Sequence, residues 1–145
     1  MSAGADHTVC LVDDDPSIRK ALGRLLQLEG FGVEAFAEAA SFLQHMETHE
    51  VPVLVLDIWM EGVNGMHLLA RLCAQSPRTR VIFITGHDDA AARATVMQAG
   101  AFDFLIKPVE ADLFIAVVRK ALAESLALTG RAAAPAENLA PTEEP

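Results

Sequence analysis

The sequence predicts a three-layer α/β fold, in which a doubly wound (βα)5 arrangement gives a five-stranded parallel sheet covered by helices on both faces. Short apolar segments alternate five times with segments of helical periodicity, and this alternation is typical of right-handed βαβ crossovers. The central apolar segment, residues 53–56, has no polar interruption and stops at Asp57. Such a segment favours a strand that is buried on both faces of a parallel sheet.

The first two units precede this central strand. Residues 9–12 predict a strand, and Asp15 is the expected N-cap of the following helix, because the proline after it suits a first helical turn. Gly30 ends the helical spacing of the apolar residues. The second unit has a weaker strand at residues 32–36 and a helix at residues 38–48.

The third unit continues from the central strand through a loop into a helix that Ser76-Pro77 ends. In the fourth unit, residues 81–84 form a strand that closes at Thr85, and residues 89–99 form an alanine-rich helix. Because this helix has few large apolar side chains, we expect it to be the least firmly packed element.

The fifth unit has a strand at residues 102–106 and a helix from Ala111 with an apolar face.

The two ends of the sequence differ in composition from the five strand–helix units. Residues 1–7 are short and polar, as expected of a frayed start, and residues 129–145 are rich in Ala, Pro and Glu, as expected of a linker or disordered tail. One folded domain is therefore expected over residues 8–128.

Charge and composition exclude several classes of protein. The formal net charge of −9 argues against direct binding of nucleic acid by this chain. No apolar segment approaches the length of a membrane span, and no signal peptide opens the sequence, so we expect a cytoplasmic protein without membrane contact. The two cysteines, Cys10 and Cys73, are predicted to be buried thiols in a reducing compartment.

Polar side chains stand where the predicted strands end. Asp13 and Asp14 follow the first strand, Asp57 the third, Thr85 the fourth and Lys107 the fifth. In an open doubly wound sheet, functional groups gather outside the carboxyl ends of the strands. Three carboxylates in one cleft repel one another, and a set of oxygen ligands favours Mg²⁺ as the cation that offsets this repulsion.

A carboxylate, Mg²⁺, an ammonium and a hydroxyl together favour phosphoryl transfer to Asp57. Each residue also has a simpler interpretation when it is taken alone, as a helix cap, a strand-end hydroxyl or a solvated lysine.

An alternative function is a Mg²⁺-dependent phosphatase with an aspartyl nucleophile. That enzyme usually needs a second acid two residues after the nucleophile, where Trp59 stands, and an insertion that covers the cleft.

Four motifs occur in order: Val12-Asp-Asp-Asp-Pro-Ser-Ile-Arg19, Leu56-Asp57-Ile-Trp-Met60 with Gly65, Ile84-Thr-Gly86, and Phe104-Leu-Ile-Lys-Pro108. Together they resemble the receiver domains of bacterial two-component response regulators, and Thr85-Gly-His-Asp resembles the FixJ-like members. The resemblance implies a flavodoxin-like receiver topology. It also implies a phosphorylation-dependent switch in a two-component (phosphorelay) system, which catalyses only phosphotransfer to its own aspartate and hydrolysis from it.

The resemblance assigns the phosphoacceptor and the metal ligands. Asp57 matches the phosphoacceptor, and Mg²⁺ is expected on Asp57, Asp14 and the main-chain carbonyl of Trp59, with Asp13 acting through water. The bond between Lys107 and the following proline is expected to be cis, as is usual in the family.

Three further pairs of residues take roles by resemblance. Thr85 and Lys107 match the residues that hold the phosphoryl oxygens, and Thr85 with Phe104 matches the switch pair, although Phe104 lacks the hydroxyl of the commoner tyrosine. Trp59 and His87 match the positions that flank the approach of water. Because an indole can neither admit nor orient water well, we expect a long-lived phosphoryl group.

The implied partners are a cognate sensor histidine kinase and an output domain or downstream protein, as in transcription regulation. The output surface is expected on the fourth helix, fifth strand and fifth helix, where a phosphorylation-dependent homodimer would form. Its polar residues are Arg93, Gln98, Asp103, Arg119 and Lys120. A stand-alone receiver that acts as a binding module is an alternative.

Overall fold

The structure, a computed structural model, describes residues 7–60 and 64–129, and in these residues five strands alternate with five helices. The strands are β1 (Thr8–Val12), β2 (Gly32–Phe36), β3 (Val53–Asp57), β4 (Arg80–Thr85) and β5 (Asp103–Ile106). The helices are α1 (Pro16–Leu28), α2 (Ala39–Met46), α3 (Gly65–Gln75), α4 (Ala90–Gln98) and α5 (Ala111–Thr129). Residues 1–6 and 130–145, which hold most of the predicted start and tail, lie outside the described residues.

The five strands form one parallel sheet in the order β2-β1-β3-β4-β5, which confirms the predicted fold class. The central strand, β3, is buried along its whole length. Register pairs Val12 with Leu56, and Asp57 with Ile84. The strands therefore finish side by side, and the residues that follow them share one edge of the sheet.

Two layers of helices cover the sheet, and alternate strand residues face each layer because side chains alternate along a strand. One core lies beneath α1 and α5 and contains Val9, Leu11, Leu26, Val53, Val55, Ile82, Ile84, Phe114 and Val118. The other lies beneath α2, α3 and α4 and contains Cys10, Val12, Phe42, Leu54, Leu56, Leu69, Leu72, Phe83 and Val96. Among the described residues, no helix is both long and apolar enough to cross a membrane.

Four helices begin at side-chain caps, among them α5, where Glu110 Oε1 accepts a hydrogen bond from the Leu113 amide at 2.8 Å. The carboxylate of Asp15 accepts a hydrogen bond from the Ser17 amide at 2.9 Å, which confirms the predicted N-cap of α1. Asn64 caps α3 and Asp89 caps α4 in the same way. Glu38 occupies the N-cap position of α2 without a side-chain hydrogen bond, and α2 is shorter than the sequence predicted.

Helix α4 has a single buried anchor, Val96, as its alanine-rich sequence predicted. However, α2 likewise buries only Phe42, so weak anchoring is not peculiar to α4. The remaining helix of this layer, α3, differs clearly, since it buries Leu68, Leu69 and Leu72 as well as its first glycine.

The two cysteines differ in environment, and the prediction for one of them is wrong. Cys10 is buried. Its burial, and to a smaller extent the negative charge of the nearby Glu34, raises the pKa of its thiol to about 12. Cys73 is exposed instead, because it lies near the end of α3 beside the turn that follows α4. Its Sγ is 3.7 Å from the carbonyl oxygen of Ala99.

Candidate functional site

The polar residues predicted at the strand ends meet at the carboxyl edge of the sheet. Asp13 follows β1, Asp57 ends β3, Thr85 ends β4 and Lys107 follows β5. These four strands are adjacent in the sheet. The Lys107 Nζ lies 2.9 Å from Asp13 Oδ2 and 3.1 Å from Asp57 Oδ2, so one ammonium bridges two carboxylates.

A third carboxylate completes an acidic cluster. Asp13, Asp14 and Asp57 each offer one ligand atom, and these atoms all lie within 4.8 Å of one another. Asp13 and Asp57 are buried, with exposed fractions of 0% and 6%, whereas Asp14 is open to solvent. The cluster therefore has two fixed inner carboxylates and one accessible outer carboxylate.

The donor set fits a hard divalent cation. Three carboxylates face one ammonium, which leaves negative charge uncompensated. In addition, Asp13 Oδ2 is buried and receives no aligned hydrogen bond from any described residue, although it touches Lys107. Oxygen-only ligands around such an acceptor match the preference of Mg²⁺.

Main-chain groups fix the side chains of the site. The Trp59 amide donates to Asp57 Oδ1 at 3.0 Å, so the loop after β3 folds back around the carboxylate and carries the Trp59 carbonyl with it. The His87 amide donates to Thr85 Oγ1 at 3.1 Å. The Lys107 amide donates to the Thr85 carbonyl at 2.6 Å, and the bond from Lys107 to the following proline is cis, as predicted.

One positioning contact was missed by the sequence analysis. The guanidinium of Arg19 donates from Nη1 to the main-chain carbonyl of Asp13 at 2.8 Å. This contact ties α1 to the end of β1, where the acidic pair stands. Arg19 closes the first motif, so its position in that motif was the available signal.

Lys107 remains a cation in this setting. Burial lowers the pKa of Lys107. The hydrogen bonds to Asp13 and Asp57 and the negative charges of these two carboxylates raise it by more, so that the pKa of Lys107 lies above its usual value. A raised pKa keeps the ammonium protonated at neutral pH. The site therefore presents a fixed positive charge beside the Asp57 carboxylate.

The two expected switch residues are both buried, Thr85 at 0% and Phe104 at 1% exposure. The Cζ of Arg93 lies 5.0 Å from the centroid of the Phe104 ring, within the range of a cation–π interaction. This contact links α4 to β5 and was not predicted. Together with Val96, Arg93 is thus a second attachment of α4 to the sheet.

Trp59 and His87, which follow neighbouring strands, are brought together. Their ring centroids are 5.6 Å apart at an interplanar angle of 77°, an edge-to-face contact. Trp59 is nevertheless 54% exposed. The pair therefore stands at the solvent side of the strand-end site.

The first residue of α3 lies unusually close to the loop after β3. A Cβ on Gly65 would be 3.1 Å from Ile58 Cγ1 and 3.2 Å from Phe83 Cε1, tighter than an ordinary contact. A glycine is therefore favoured here because the helix approaches the strand end so closely. Beside it, a cavity of about 420 Å³ separates this loop from α4 and is lined in part by Trp59 and Val96.

The expected output surface needs one correction. Arg119 does not lie free on it, because its Nη2 is 2.8 Å from Glu29 Oε1 and its Cζ is 5.3 Å from the centroid of the Phe31 ring. Arg119 thus binds the segment that follows α1. The exposed members of the predicted set that have no such contact within the described residues are Gln98 and Lys120.

Comparison with known proteins gives a consistent group of similar chains. The family model described as the response regulator receiver domain matches residues 9–119. Similar relatives include the C4-dicarboxylate transport transcriptional regulatory protein DctD of Rhizobium meliloti (strain 1021), 36% identical over 117 residues, which are 81% of this chain and 25% of DctD. The transcriptional regulatory protein FixJ of Bradyrhizobium diazoefficiens is 35% identical over 141 residues, 93% of this chain and 69% of FixJ. The chain thus spans about a quarter of DctD and about two thirds of this FixJ.

Solved structures that are similar to this chain include receiver domains and a full-length FixJ. The beryllofluoride-activated NtrC4 receiver domain dimer has a TM-score of 0.78 at 29% identity and covers 82% of this chain and 98% of its own. Full-length FixJ from B. japonicum has a TM-score of 0.78 at 34% identity and covers 89% of this chain and 64% of its own.

Proposed function

Because the chain belongs to the family of response regulator receiver domains, we propose that Asp57 is its phosphoacceptor. Phosphorylation-dependent signalling in a two-component system is the role of this family, and the matches do not favour an aspartyl phosphatase. One observation carries the assignment to Asp57. Its carboxylate ends the central strand and lies 3.1 Å from the Lys107 ammonium, at the sheet edge where the acidic cluster and Thr85 also stand.

In the proposed reaction, a carboxylate oxygen of Asp57 attacks the phosphorus of a phosphohistidine or an acyl phosphate. An O–P bond forms to Asp57, and the bond from phosphorus to the donor nitrogen or oxygen breaks. Lys107 is placed to hold a phosphoryl oxygen, since its Nζ already contacts Asp57 Oδ2, and the Thr85 hydroxyl would hold another. Both interactions stabilise charge that gathers on the phosphoryl oxygens during transfer.

The acidic cluster would hold Mg²⁺, which supplies positive charge for the phosphoryl oxygens when it is bound. Asp14 is the proposed direct ligand because it is the accessible carboxylate, together with Asp57 and the Trp59 carbonyl. Asp13 would act through water, since it is fully enclosed, whereas Asp14 is open to solvent and Asp57 retains 6% exposure.

Signal output would pass through Thr85 to the face formed by α4, β5 and α5. A bond from the Thr85 hydroxyl to the phosphoryl group would change the packing around the buried Phe104 ring. Arg93, which lies over that ring, would transmit the change to α4. Because Phe104 has no hydroxyl, its position depends on packing and on the contact with Arg93.

We also propose the partners. The relatives named above are transcriptional regulators, so this receiver would control transcription through an output domain or a partner, with a sensor histidine kinase as the phosphodonor. Residues 8–128 would form the receiver, and residues 129–145 would form the linker or tail.

A single experiment tests the proposed function. The purified protein is incubated with Mg²⁺ and a small acyl phosphate, and its intact mass is measured. We expect one added phosphoryl group when Mg²⁺ is present and none when the metal is chelated before the phosphodonor is added. No mass increase in a protein whose circular dichroism shows an intact fold would contradict the proposal.

The acidic residues Asp14 and Asp15 should differ in function. Asp14→Ala is expected to weaken Mg²⁺ binding several-fold, whereas Asp15→Ala should lower the free energy of unfolding by about 1 kcal/mol through loss of the α1 N-cap. Fluorescence of Trp59, the single tryptophan, reports Mg²⁺ binding, and urea unfolding reports stability. An equal loss of Mg²⁺ affinity in both variants would refute this division.

Phosphorylation should promote a homodimer through α4, β5 and α5. Lys120→Glu, which reverses an exposed charge on this face, is expected to weaken the dimer. Arg119→Ala is the matched control and should leave dimerisation intact, because Arg119 pairs with Glu29 of its own chain. Sedimentation of phosphorylated and unphosphorylated protein measures both effects. Identical masses for the two states at high concentration would exclude the dimer.

A further inference from the structure

The acidic pair lies in a short segment, residues 13–15, which joins β1 to α1. The Asp13 amide donates to the carbonyl of Phe36 at 3.1 Å, and the Asp15 amide donates to Asp13 Oδ1 at 2.9 Å. The Asp15 carboxylate in turn caps α1. Asp14, the accessible carboxylate of the acidic cluster, therefore stands between two residues whose main chain is held in place.

The main-chain carbonyl of Asp13 needs a partner from outside the sheet. The pairing of β1 with β2 and with β3 ends at Val12, so this carbonyl lies one residue beyond the ladder. Asp13 is fully buried, and a buried carbonyl without a hydrogen bond is costly. The Arg19 side chain supplies the bond, because its Nη1 donates to this oxygen at 2.8 Å.

Arg19 reaches this oxygen from the first turns of α1. Its own amide donates to the carbonyl of Asp15 at 3.0 Å, so the helix sets its backbone position. The side chain then extends back over residues 13–15 to the end of β1. The guanidinium is always charged, and a hydrogen bond from a charged donor is stronger than one between neutral groups. Arg19 thus links both ends of the segment that carries Asp14.

This link leaves the carboxylate oxygens of the acidic cluster to a cation. Among the residues that the structure describes, the ion pairs of the cluster are made by Lys107, and Arg19 forms none. The carboxylates of the cluster repel one another, which favours movement of the segment away from Asp57. Arg19 opposes this movement without occupying a ligand oxygen.

We propose that Arg19 is a positioning residue for the magnesium site, and that its bond to the Asp13 carbonyl holds Asp13 and Asp14 in the arrangement that binds Mg²⁺. This inference rests on the proposed function for the identity of the cation. Ligand atoms that already lie within 4.8 Å of one another need little rearrangement when the ion binds. Without the Arg19 bond, part of the binding free energy would be spent on returning the segment to this arrangement.

Arg19→Met tests this role, because it keeps an unbranched side chain but has neither the donor nor the charge. We expect the Mg²⁺ concentration at half-saturation to rise about tenfold, as is usual when the support behind a metal ligand is lost. Fluorescence of Trp59 measures it. A purely electrostatic role predicts the opposite, since removal of a positive charge near the cluster should tighten cation binding. Arg19→Lys, which keeps a charged donor, should recover part of the affinity.

Arg24→Met is the matched control. Arg24 is an exposed arginine of the same helix, so this variant removes the same charge from α1 and should bind Mg²⁺ as the wild-type protein does. Urea unfolding without Mg²⁺ shows whether each variant is folded and how stable it is. If Arg19→Met does not fold, Arg19→Gln, which is polar and also lacks the charge, replaces it with the same expectation.

Two results would overturn the proposal. The first is a Mg²⁺ affinity in folded Arg19→Met that equals or exceeds the wild-type affinity, which would make Arg19 a purely structural link even if the variant unfolds at a lower urea concentration. The second is an equal loss of affinity in Arg24→Met, which would assign the effect to the charge of α1. Wild-type protein that binds no Mg²⁺ would overturn the proposed function as well, whereas the two results above overturn this inference alone.

Discussion

Asp57→Asn is expected to abolish incorporation of a phosphoryl group from a small acyl phosphate. The amide keeps the size of the side chain but is not a nucleophile, and it removes a negative charge from the Lys107 contact and the acidic cluster. Contact with Lys107 does not by itself single out Asp57, because Asp13 lies even closer to the same ammonium, at 2.9 Å against 3.1 Å. Access distinguishes the two, since Asp13 is fully enclosed and Asp57 retains 6% exposure.

Asp13→Asn is the matched comparison for this variant. It also replaces a buried strand-end carboxylate with an amide, but we expect it to slow labelling without eliminating it, because it removes charge and not the acceptor. Intact mass measured over time separates the two outcomes. Persistent labelling of Asp57→Asn at the wild-type level, or complete loss of labelling in Asp13→Asn alone, would move the assignment to Asp13.

The strand-end site could be predicted from sequence because backbone geometry determines it. Parallel strands in one sheet finish at a common edge, so the residues that follow the strands must converge once the alternation of strands and helices is known. Asp13, Asp57, Thr85 and Lys107 were found in this way, and in the structure the side chains of three of them, Asp13, Asp57 and Lys107, are in direct contact. The prediction of this site required only the correct arrangement of the strands. It did not depend on the conformation of any side chain.

Contacts made by long side chains on helices could not be predicted in the same way. Arg93 and Arg119 were both expected on an open surface, yet one lies over Phe104 and the other binds Glu29. An arginine can reach several neighbours from one backbone position, and the rotation and tilt of its helix decide which neighbour it contacts. The prediction that Cys73 is buried was wrong for a related reason, because helical spacing alone does not show where the buried face of a helix ends.

The lifetime of the phosphoryl group is the property on which the Trp59 side chain should have most effect. Loss of phosphate from Asp57 requires water in line with the phosphorus, opposite the aspartyl oxygen. Trp59 and His87 follow the two strands that carry Asp57 and Thr85, and their rings meet edge to face. An indole held by this contact has no hydrogen-bond acceptor that could orient the attacking water, and its bulk restricts the approach, although its outer part remains exposed.

Trp59→Asn is therefore expected to shorten the phosphoryl lifetime about tenfold, which corresponds to about 1.4 kcal/mol of barrier. Labelling of Asp57 should persist, because Trp59 contacts Asp57 through its main-chain amide, which the substitution keeps. Trp59→Phe is the control, since it keeps a ring at this position and should retain most of the wild-type lifetime. Phosphate release after removal of the donor gives the rate. A lifetime in Trp59→Asn that is unchanged or longer would mean that the indole does not restrict water, and that the Trp59–His87 contact only packs the surface beside the site.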